Sequence, residues 1–574
     1  MAVRPHLSRQ AFNRLLPFSR HVDEKLLRKH ALQNAILHDG KAEARAVLGK
    51  ILAVDASLRS KAREATEAVE RVVADVNKLS PEQQRAEIQS IAPELLEKPK
   101  GAKPQELPPL PNVTDRVVMR LAPYPSGPLH IGNARMVLLN DEYVKRYDGK
   151  LVLMFDDTIG SEEKFILPEA YAQIKAGLDW LGVEYHEVLY KSDRVPVFYE
   201  WADRLIRSGH AYVCECAYEQ LRALREKAQE CEHRSRSPEE NLEKWSQMIH
   251  GGFREYGAVV RLKTRMDHPN PAFRDRVLLR VSDREHPRVG RQFRVWPLLE
   301  FSWAVDDYLL GVTHVLRGKD LMIEDEMEMA IWENLGIAKR PEFVHYGILF
   351  FKEMELSKSK YRVAIQEGRI TGIDDPRTWT LESLRRRGIR PEAIRSFILG
   401  FGLSLTDIEV PADNLYAENR HIIDPIANRF FFVPSPAKIV IEGMPDIREA
   451  KVPVHPDRPE KDHRTLAVSS TIYVAQEDLE KFRGTEVRLK DLCNVKLDRV
   501  SQFLSKENRD IPKIQWLSEG VPMKVVMPDG STAEGLGEPG LLKTHVDDVV
   551  QLERFGFVRI DQIEPELTAY FGHR

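Results

Sequence analysis

A strand that runs into a Pro- and Gly-rich loop and then into a helix constrains this chain more than any other feature. Arg116 to Leu121 (RVVMRL) has the apolar run of a short buried strand. The stretch after it, APYPSGPLHIG, is crowded with Pro and Gly and must be a loop. A helix pattern begins near Asn133 (NARMVLLNDEYVKRY). The rhythm then repeats. LVLMFDD reads as a strand, and PEAYAQIKAGLDWLG as a helix with Pro168 near its start and Gly182 past its end. VEYHEVLY reads as a strand, and VPVFYEWADRLIRSG as a helix closed by Gly209. Such alternation predicts a parallel, doubly wound sheet.

The first loop is equipped for an anion. His130 stands just before a helix N-terminus, where an imidazole can donate to a phosphate oxygen. Gly132 leaves room for a flat ring to approach the backbone. Far downstream lies Glu355-Leu-Ser357-Lys358-Ser359-Lys360. Lys358 offers a mobile point charge for a triphosphate, and the serines beside it can hydrogen-bond to phosphate oxygens. Taken singly, each phrase has a plainer reading: a His before a Gly in a turn, and a solvated Ser/Lys loop. The ordered pair in one α/β region favours a nucleotide gripped from both sides.

At 574 residues the chain is too long for one core, so three or more domains are expected. With 42% hydrophobic and 30% charged residues it reads as an ordinary globular protein. A net charge of -3 does not announce a nucleic-acid binder, although a local basic face can still meet phosphates. No apolar run approaches membrane-spanning length. The first twenty-one residues are Arg-rich without acids, an ordinary basic N-terminus rather than a secretory signal. Four cysteines in so long a chain do not suggest a disulfide framework, which fits a cytoplasmic setting.

Along the chain, residues 1–97 form a helical region, with Ser80-Pro81 marking a helix start. Residues 98–112 are a Pro-rich linker. The α/β pattern occupies 113–209, is interrupted by an insertion at 210–295, and resumes over 296–372. A helical segment, 373–428, follows. Short, evenly spaced strands over 429–574 predict barrels. Within the insertion, Cys214, Cys216, Cys231 and His233 form C-x-C-x14-C-x-H. Three thiolates and an imidazole suit tetrahedral Zn²⁺ with no open position, hence a structural ion.

These phrases resemble class I aminoacyl-tRNA synthetases, whose HIGH and KMSKS signatures look like LHIGN and ELSKSK. FDDT, the Cys/His cluster, HPNPAFRD, DDYLLGVTHVLRGKD and VQLERFGFVRID extend the resemblance across nearly the whole chain. They point to the archaeal type of the glutamyl/glutaminyl group. The resemblance implies a Rossmann-like class I catalytic domain split by an acceptor-stem-binding insertion. It also implies a C-terminal all-β anticodon-binding region. It implies ATP with Mg²⁺, L-glutamate and tRNA(Glu), with tRNA(Gln) as a further acceptor, and no membrane partner. By the same resemblance His130, Asn133 and Lys358 are catalytic. Pro123, Gly132, Ser357, Ser359 and Lys360 hold ATP. Arg120, Ser126, Asp156 and Arg317 hold glutamate, Asp156 through the ammonium and Arg317 through the side-chain carboxylate. A desolvated guanidinium there would select glutamate over glutamine. The plain alternative for Arg317 is an ion pair with nearby Asp320.

The chain departs from the pattern at Asn133 in place of the second histidine of HIGH, and at Met154, Ile159 and Leu299. Rival readings are a glutaminyl enzyme, a small-molecule nucleotidyltransferase, and a silent tRNA-binding paralogue. Arg385, Arg386, Arg387, Arg390 and Arg395 are candidate phosphate contacts. Phe430, Phe431, Phe432 and Phe555 are candidate stacking platforms for bases, against the plainer reading that barrel aromatics are core.

Overall fold

The structure is a computed structural model. It describes residues 24–37, 40–54, 62–92, 106–159, 165–352, 358–457 and 462–574. The chain divides into two compact units, 1–103 and 104–574.

The first unit is a set of four helices: α1 (Glu24–Leu37), α2 (Ala44–Val54), α3 (Ala62–Val76) and α4 (Pro81–Ile91). Leu27, Ala31, Leu32, Val47, Ile51, Val69, Val73 and Ile88 form its core. Ser80 starts α4 as the sequence predicts. Its Oγ accepts from the Gln83 N–H, and the Gln83 side chain accepts from the Ser80 N–H. Much of the Pro-rich linker lies outside the described residues.

The second unit opens with β1 (Val118–Leu121), α5 (Ile131–Arg146), β2 (Lys150–Phe155), α6 (Ala170–Trp180), β3 (Glu187–Tyr190) and α7 (Val195–Arg207). β1, β2 and β3 are parallel neighbours in that order. An antiparallel sheet of four strands comes next: β4 (Ala211–Cys214), β5 (Val259–Leu262), β6 (Val277–Val281) and β7 (Val295–Pro297). It carries α8 (Tyr218–Glu226) and α9 (Pro238–Ile249). The parallel pattern then resumes with α10 (Leu299–Leu309), β8 (His314–Gly318), α11 (Met322–Asn334) and β9 (Glu342–Tyr346), β8 pairing with β9 in parallel.

The two parallel groups meet along β1. The Thr313 N–H donates to the Val118 carbonyl at 2.9 Å, and the Thr313 Oγ1 accepts from the Val118 N–H at 2.9 Å. Strand order is therefore β3-β2-β1-β8-β9, with the direction of winding reversing between β1 and β8. In open α/β sheets, ligands bind outside the carboxyl ends of the strands at such a reversal. Arg120 and Arg317 sit near the carboxyl ends of the two strands that flank it.

β10 (Leu349–Phe351), α12 (Lys358–Gln366), α13 (Leu381–Arg386), α14 (Pro391–Leu399), β11 (Ile408–Val410) and α15 (Asp413–Ile423) complete the central body. The remainder is two barrel-like sheets and a short antiparallel ribbon of Glu449–Pro453 and His463–Ala467. One has six strands between residues 436 and 514, its edge sealed by reciprocal backbone bonds between Tyr473 and Leu517. The other has seven strands whose two edges are Arg429–Phe430 and Phe432–Pro434. A single residue, Phe431, separates those edges. Its side chain and that of Val433 enter the six-stranded core, whereas Phe430 and Phe432 enter the seven-stranded one.

Candidate active site and metal centre

The loop after β1 is pinned at both ends. The Ile131 N–H donates to the Trp379 carbonyl and the Leu381 N–H to the Leu129 carbonyl, so residues 129–131 lie against 379–381. His130 is the residue before α5, in extended conformation (φ -119°, ψ 170°). The Asn133 side chain is used locally. Its Oδ1 accepts from the His130 N–H at 3.2 Å, closing the helix start as a cap does. A cavity of about 280 Å³ opens beside this loop. Ser126, Gly127 and His130 line one side, and Tyr361, Arg362 and Ile365 of α12 line another. The segment that begins at Lys358 and the loop that ends at His130 thus face one hollow. Ser357, and the side chains of Lys358, Ser359 and Lys360, lie outside the described part of the structure. Pro123 and Ser126 lie in the loop, and Gly132 is in the first turn of α5. The Pro123 carbonyl accepts from the Asp156 N–H, which ties the loop to the end of β2.

A buried ionic cluster fills the reversal point. Arg120 meets Asp307 with two contacts, Nε to Oδ1 at 2.5 Å and Nη2 to Oδ2 at 2.7 Å. Arg317 donates through Nε to Asp325 at 3.0 Å and through Nη1 to Glu328 at 2.8 Å. Asp320, the alternative partner, is not the one it pairs with, because the guanidinium reaches along α11 to Asp325 and Glu328 further on. His345 joins Asp325 at 2.8 Å. Asp156 pairs with Lys191 at 3.0 Å, and Arg194 with Asp306 at 2.6 Å. The Trp303 ring stands at the centre, with Arg120, Arg317 and Lys191 at 4.8, 5.0 and 5.3 Å from its centroid. Burial prevails at two carboxyls of this cluster. It lifts the Glu328 carboxyl to about 8, against the pull of Arg317, and the Asp306 carboxyl to about 6.

Sequence reasoning reached Arg120, Asp156 and Arg317 but not Lys191, Trp303, Asp307 or Glu328. Asp307 is 187 positions from Arg120, and only a fold brings them together. For Glu328 the available signal was the acid-rich α11 that follows the Arg317 strand after a short turn.

In the insertion, the Cys214 and Cys231 sulfurs are 3.7 Å apart, and the His233 Nδ1 lies 3.7 Å from Cys214 and 3.4 Å from Cys216. All four donors fall within 4.8 Å of one another. A tetrahedral Zn²⁺ with bonds of about 2.3 Å holds its sulfurs roughly 3.8 Å apart, so the cage has the dimensions of a zinc site. The Arg261 Nη1 lies 3.8 Å from Cys214 and 3.7 Å from Cys231, a cation suited to a thiolate-rich centre. The hydrogen shared with Cys214 pulls the Cys231 thiol down to about 4.

Comparison with known proteins agrees with this layout. The family model for "tRNA synthetases class I (E and Q), catalytic domain" matches residues 116–425. Two anti-codon binding domain models of the same group match 427–511 and 513–561. The chain belongs to the class I tRNA synthetases of the E and Q group. Glutamate–tRNA ligase of Methanocaldococcus jannaschii is 44% identical over 566 residues, spanning 96% of this chain and all of the relative. That of Pyrococcus furiosus is 45% identical over 576 residues with the same coverage. A crystal structure of glutamate–tRNA synthetase from Elizabethkingia anophelis overlaps 55% of this chain and 72% of its own, with a TM-score of 0.40 and 19% identity.

For a member of this group, several expected nucleic-acid contacts are reassigned. Arg386 pairs with Asp374 and with Asp561 of the seven-stranded barrel, each at 2.8 Å. Arg387 is buried and donates to the Gly572 carbonyl at 2.7 Å, and Arg395 pairs with Asp141 at 2.5 Å. These three tie the helical segment to the barrel and to α5. Arg385 and Arg390 are exposed. Phe430, Phe431 and Phe432 are core, and Phe555 packs edge-on against Phe432. Of the departures from the family pattern, Met154 and Ile159 are buried, Ile159 beside Val195 and Trp296. The Leu299 carbonyl accepts from the Ser302 hydroxyl. Among the described residues no helix is long and apolar enough to cross a membrane.

Proposed function

We propose that this chain is a glutamate–tRNA ligase acting in the cytoplasm. L-glutamate attacks the α-phosphorus of MgATP through a carboxylate oxygen, and pyrophosphate leaves. A hydroxyl of the terminal ribose of tRNA(Glu) then attacks the carbonyl of the glutamyl adenylate, and AMP leaves with the transferred proton on a phosphate oxygen. No covalent enzyme intermediate is needed, so positioning and charge stabilisation carry the rate.

The observation that carries the reading is the shared hollow between the His130 loop and the helix that begins at Lys358. His130 and Lys358 stabilise the phosphates, with Ser357, Ser359 and Lys360 beside them. Pro123 and Gly132 leave space for the adenosine. Asn133 acts by holding the His130 backbone. Arg120, Ser126, Asp156 and Arg317 orient the amino acid. Cys214, Cys216, Cys231 and His233 hold a Zn²⁺ whose work is structural, stiffening the insertion against the acceptor end of the RNA.

Charging of purified tRNA(Glu) and tRNA(Gln), each offered labelled glutamate and glutamine, tests this. Glutamate on tRNA(Glu) is the expected product, and glutamate on tRNA(Gln) as well would widen the acceptor range. Exclusive use of glutamine, or tight tRNA binding with no pyrophosphate exchange, would overturn the proposal.

A further inference from the structure

A buried indole nitrogen normally finds an acceptor. Trp332 donates its indole hydrogen to the Ala304 carbonyl at 2.8 Å, and Trp516 donates to that of Lys490 at 2.9 Å. Trp303 is buried as well, yet its Nε1 has no hydrogen-bond partner. Among the described residues one other buried indole shares that condition, Trp296, and it packs with Ile159 and Val195 rather than among charges. The Trp303 ring stands within the ionic cluster, 4.8 Å from Arg120, 5.0 Å from Arg317 and 5.3 Å from Lys191. None of these cations can accept from it, since guanidinium and ammonium groups are donors only. The cluster thus holds a donor suited to an incoming oxygen. It also holds an acceptor for an incoming ammonium, because Asp156 Oδ1, although 3.0 Å from Lys191, accepts no hydrogen bond.

Resting on the ligase reading above, we infer that Trp303 is a specificity-determining residue of the amino-acid pocket. Its indole N–H donates to the side-chain carboxylate that Arg317 holds. The two oxygens of that carboxylate then meet one kind of donor each. Glutamine brings one oxygen and one amide NH₂ in their place. Whichever way that group turns, its NH₂ faces either the guanidinium or the indole, and neither can accept from it. The second donor therefore sharpens the choice that Arg317 begins. A hydrogen bond to a charged group is worth roughly 10- to 100-fold in binding.

Replacement of Trp303 by benzothienylalanine puts sulfur where the N–H stands and keeps the ring outline and its π face. Trp303→Phe makes the same deletion with a smaller ring. The KM for glutamate, the Ki of glutamine against it and the KM for ATP are measured in tRNA charging for the parent and both variants. With the sulfur analogue the glutamate KM rises about 10- to 100-fold, while the glutamine Ki holds or falls. The ATP KM stays within about twofold of the parent value. Trp303→Phe moves in the same direction, and the sulfur analogue decides alone if the smaller ring fails to fold. A ring that served only to pack against the arginines would leave the sulfur analogue at the parent values. An unchanged ratio of glutamine Ki to glutamate KM would therefore overturn the Trp303 assignment and leave the ligase reading standing, as would equal losses toward both amino acids. Failure of the parent to charge glutamate at all would overturn both.

Discussion

Glu328 is wholly buried, and its Oε1 accepts from the Arg317 guanidinium at 2.8 Å. Burial lifts its carboxyl from 4.5 to about 8, so at neutral pH it holds its proton. The difference corresponds to roughly 5 kcal/mol between the two protonation states. Once ionised, Glu328 competes with a substrate carboxylate for Arg317. Glutamate binding should then require the protonated form, and KM should climb about tenfold per pH unit above 8. Glu328→Gln keeps the shape and an acceptor for Arg317 but cannot ionise. Steady-state pyrophosphate exchange from pH 6.5 to 9.2 in both proteins is the assay. The parent KM for glutamate should turn upward near pH 8, and the variant KM should stay flat. Stability follows the same linkage. A raised acid stabilises the fold fully below about 4.5, and that contribution is lost as pH climbs through the folded value near 8. Glu328→Gln should therefore match the parent near pH 4.5 and exceed it by a few kcal/mol at pH 8, read from denaturant midpoints. Superimposable KM profiles would refute the reasoning, as would a variant less stable than the parent at pH 8.

Three further outcomes are expected. Lys358→Ala should slow pyrophosphate exchange by roughly 10²-fold or more while changing tRNA affinity little, and equal effects on both would remove Lys358 from the chemistry. Asn133→Ala deletes the acceptor of the His130 N–H and should cost about 1 kcal/mol of stability with a reduced but measurable rate. Metal analysis of the purified protein should find one zinc per chain, lost in Cys216→Ser together with protease resistance of residues 211–297. A metal-free but fully protease-resistant parent would count against the site.

The layout of the molecule was legible where local patterning decides it. Alternating strands and helices from residue 116 onward specify the parallel sheet, because its central strands are short continuous apolar runs buried on both faces, set between longer helical segments. Evenly spaced short strands after Phe430 announced the barrels. The ionic cluster was half legible. Arg120, Asp156 and Arg317 lie beside recognisable phrases, but their partners come from other elements. Lys191 gives no warning in sequence, since a lysine before Ser-Asp-Arg reads as surface. The arginine run at 385–387 looked like a phosphate-binding face, yet two of its members are used inside the protein. Charge alone does not say which way a side chain will be taken. The barrel phenylalanines show the same limit: Phe430, Phe431 and Phe432 lie in a stretch buried on both faces, and register, which sequence leaves open, decides which core each one enters.

The two barrels share one strand-length stretch, residues 429–434, whose alternate side chains feed different cores. The seven-stranded barrel is therefore assembled from a piece made early and pieces made only after the six-stranded barrel has been synthesised between them. A nascent chain cannot finish it until the last strand, Leu567–His573, leaves the ribosome. Cutting the chain between the two anticodon-domain matches would strip the distal half of its own edges. Any effort to transplant or delete one of these modules has to carry Phe431 and its neighbours along with both.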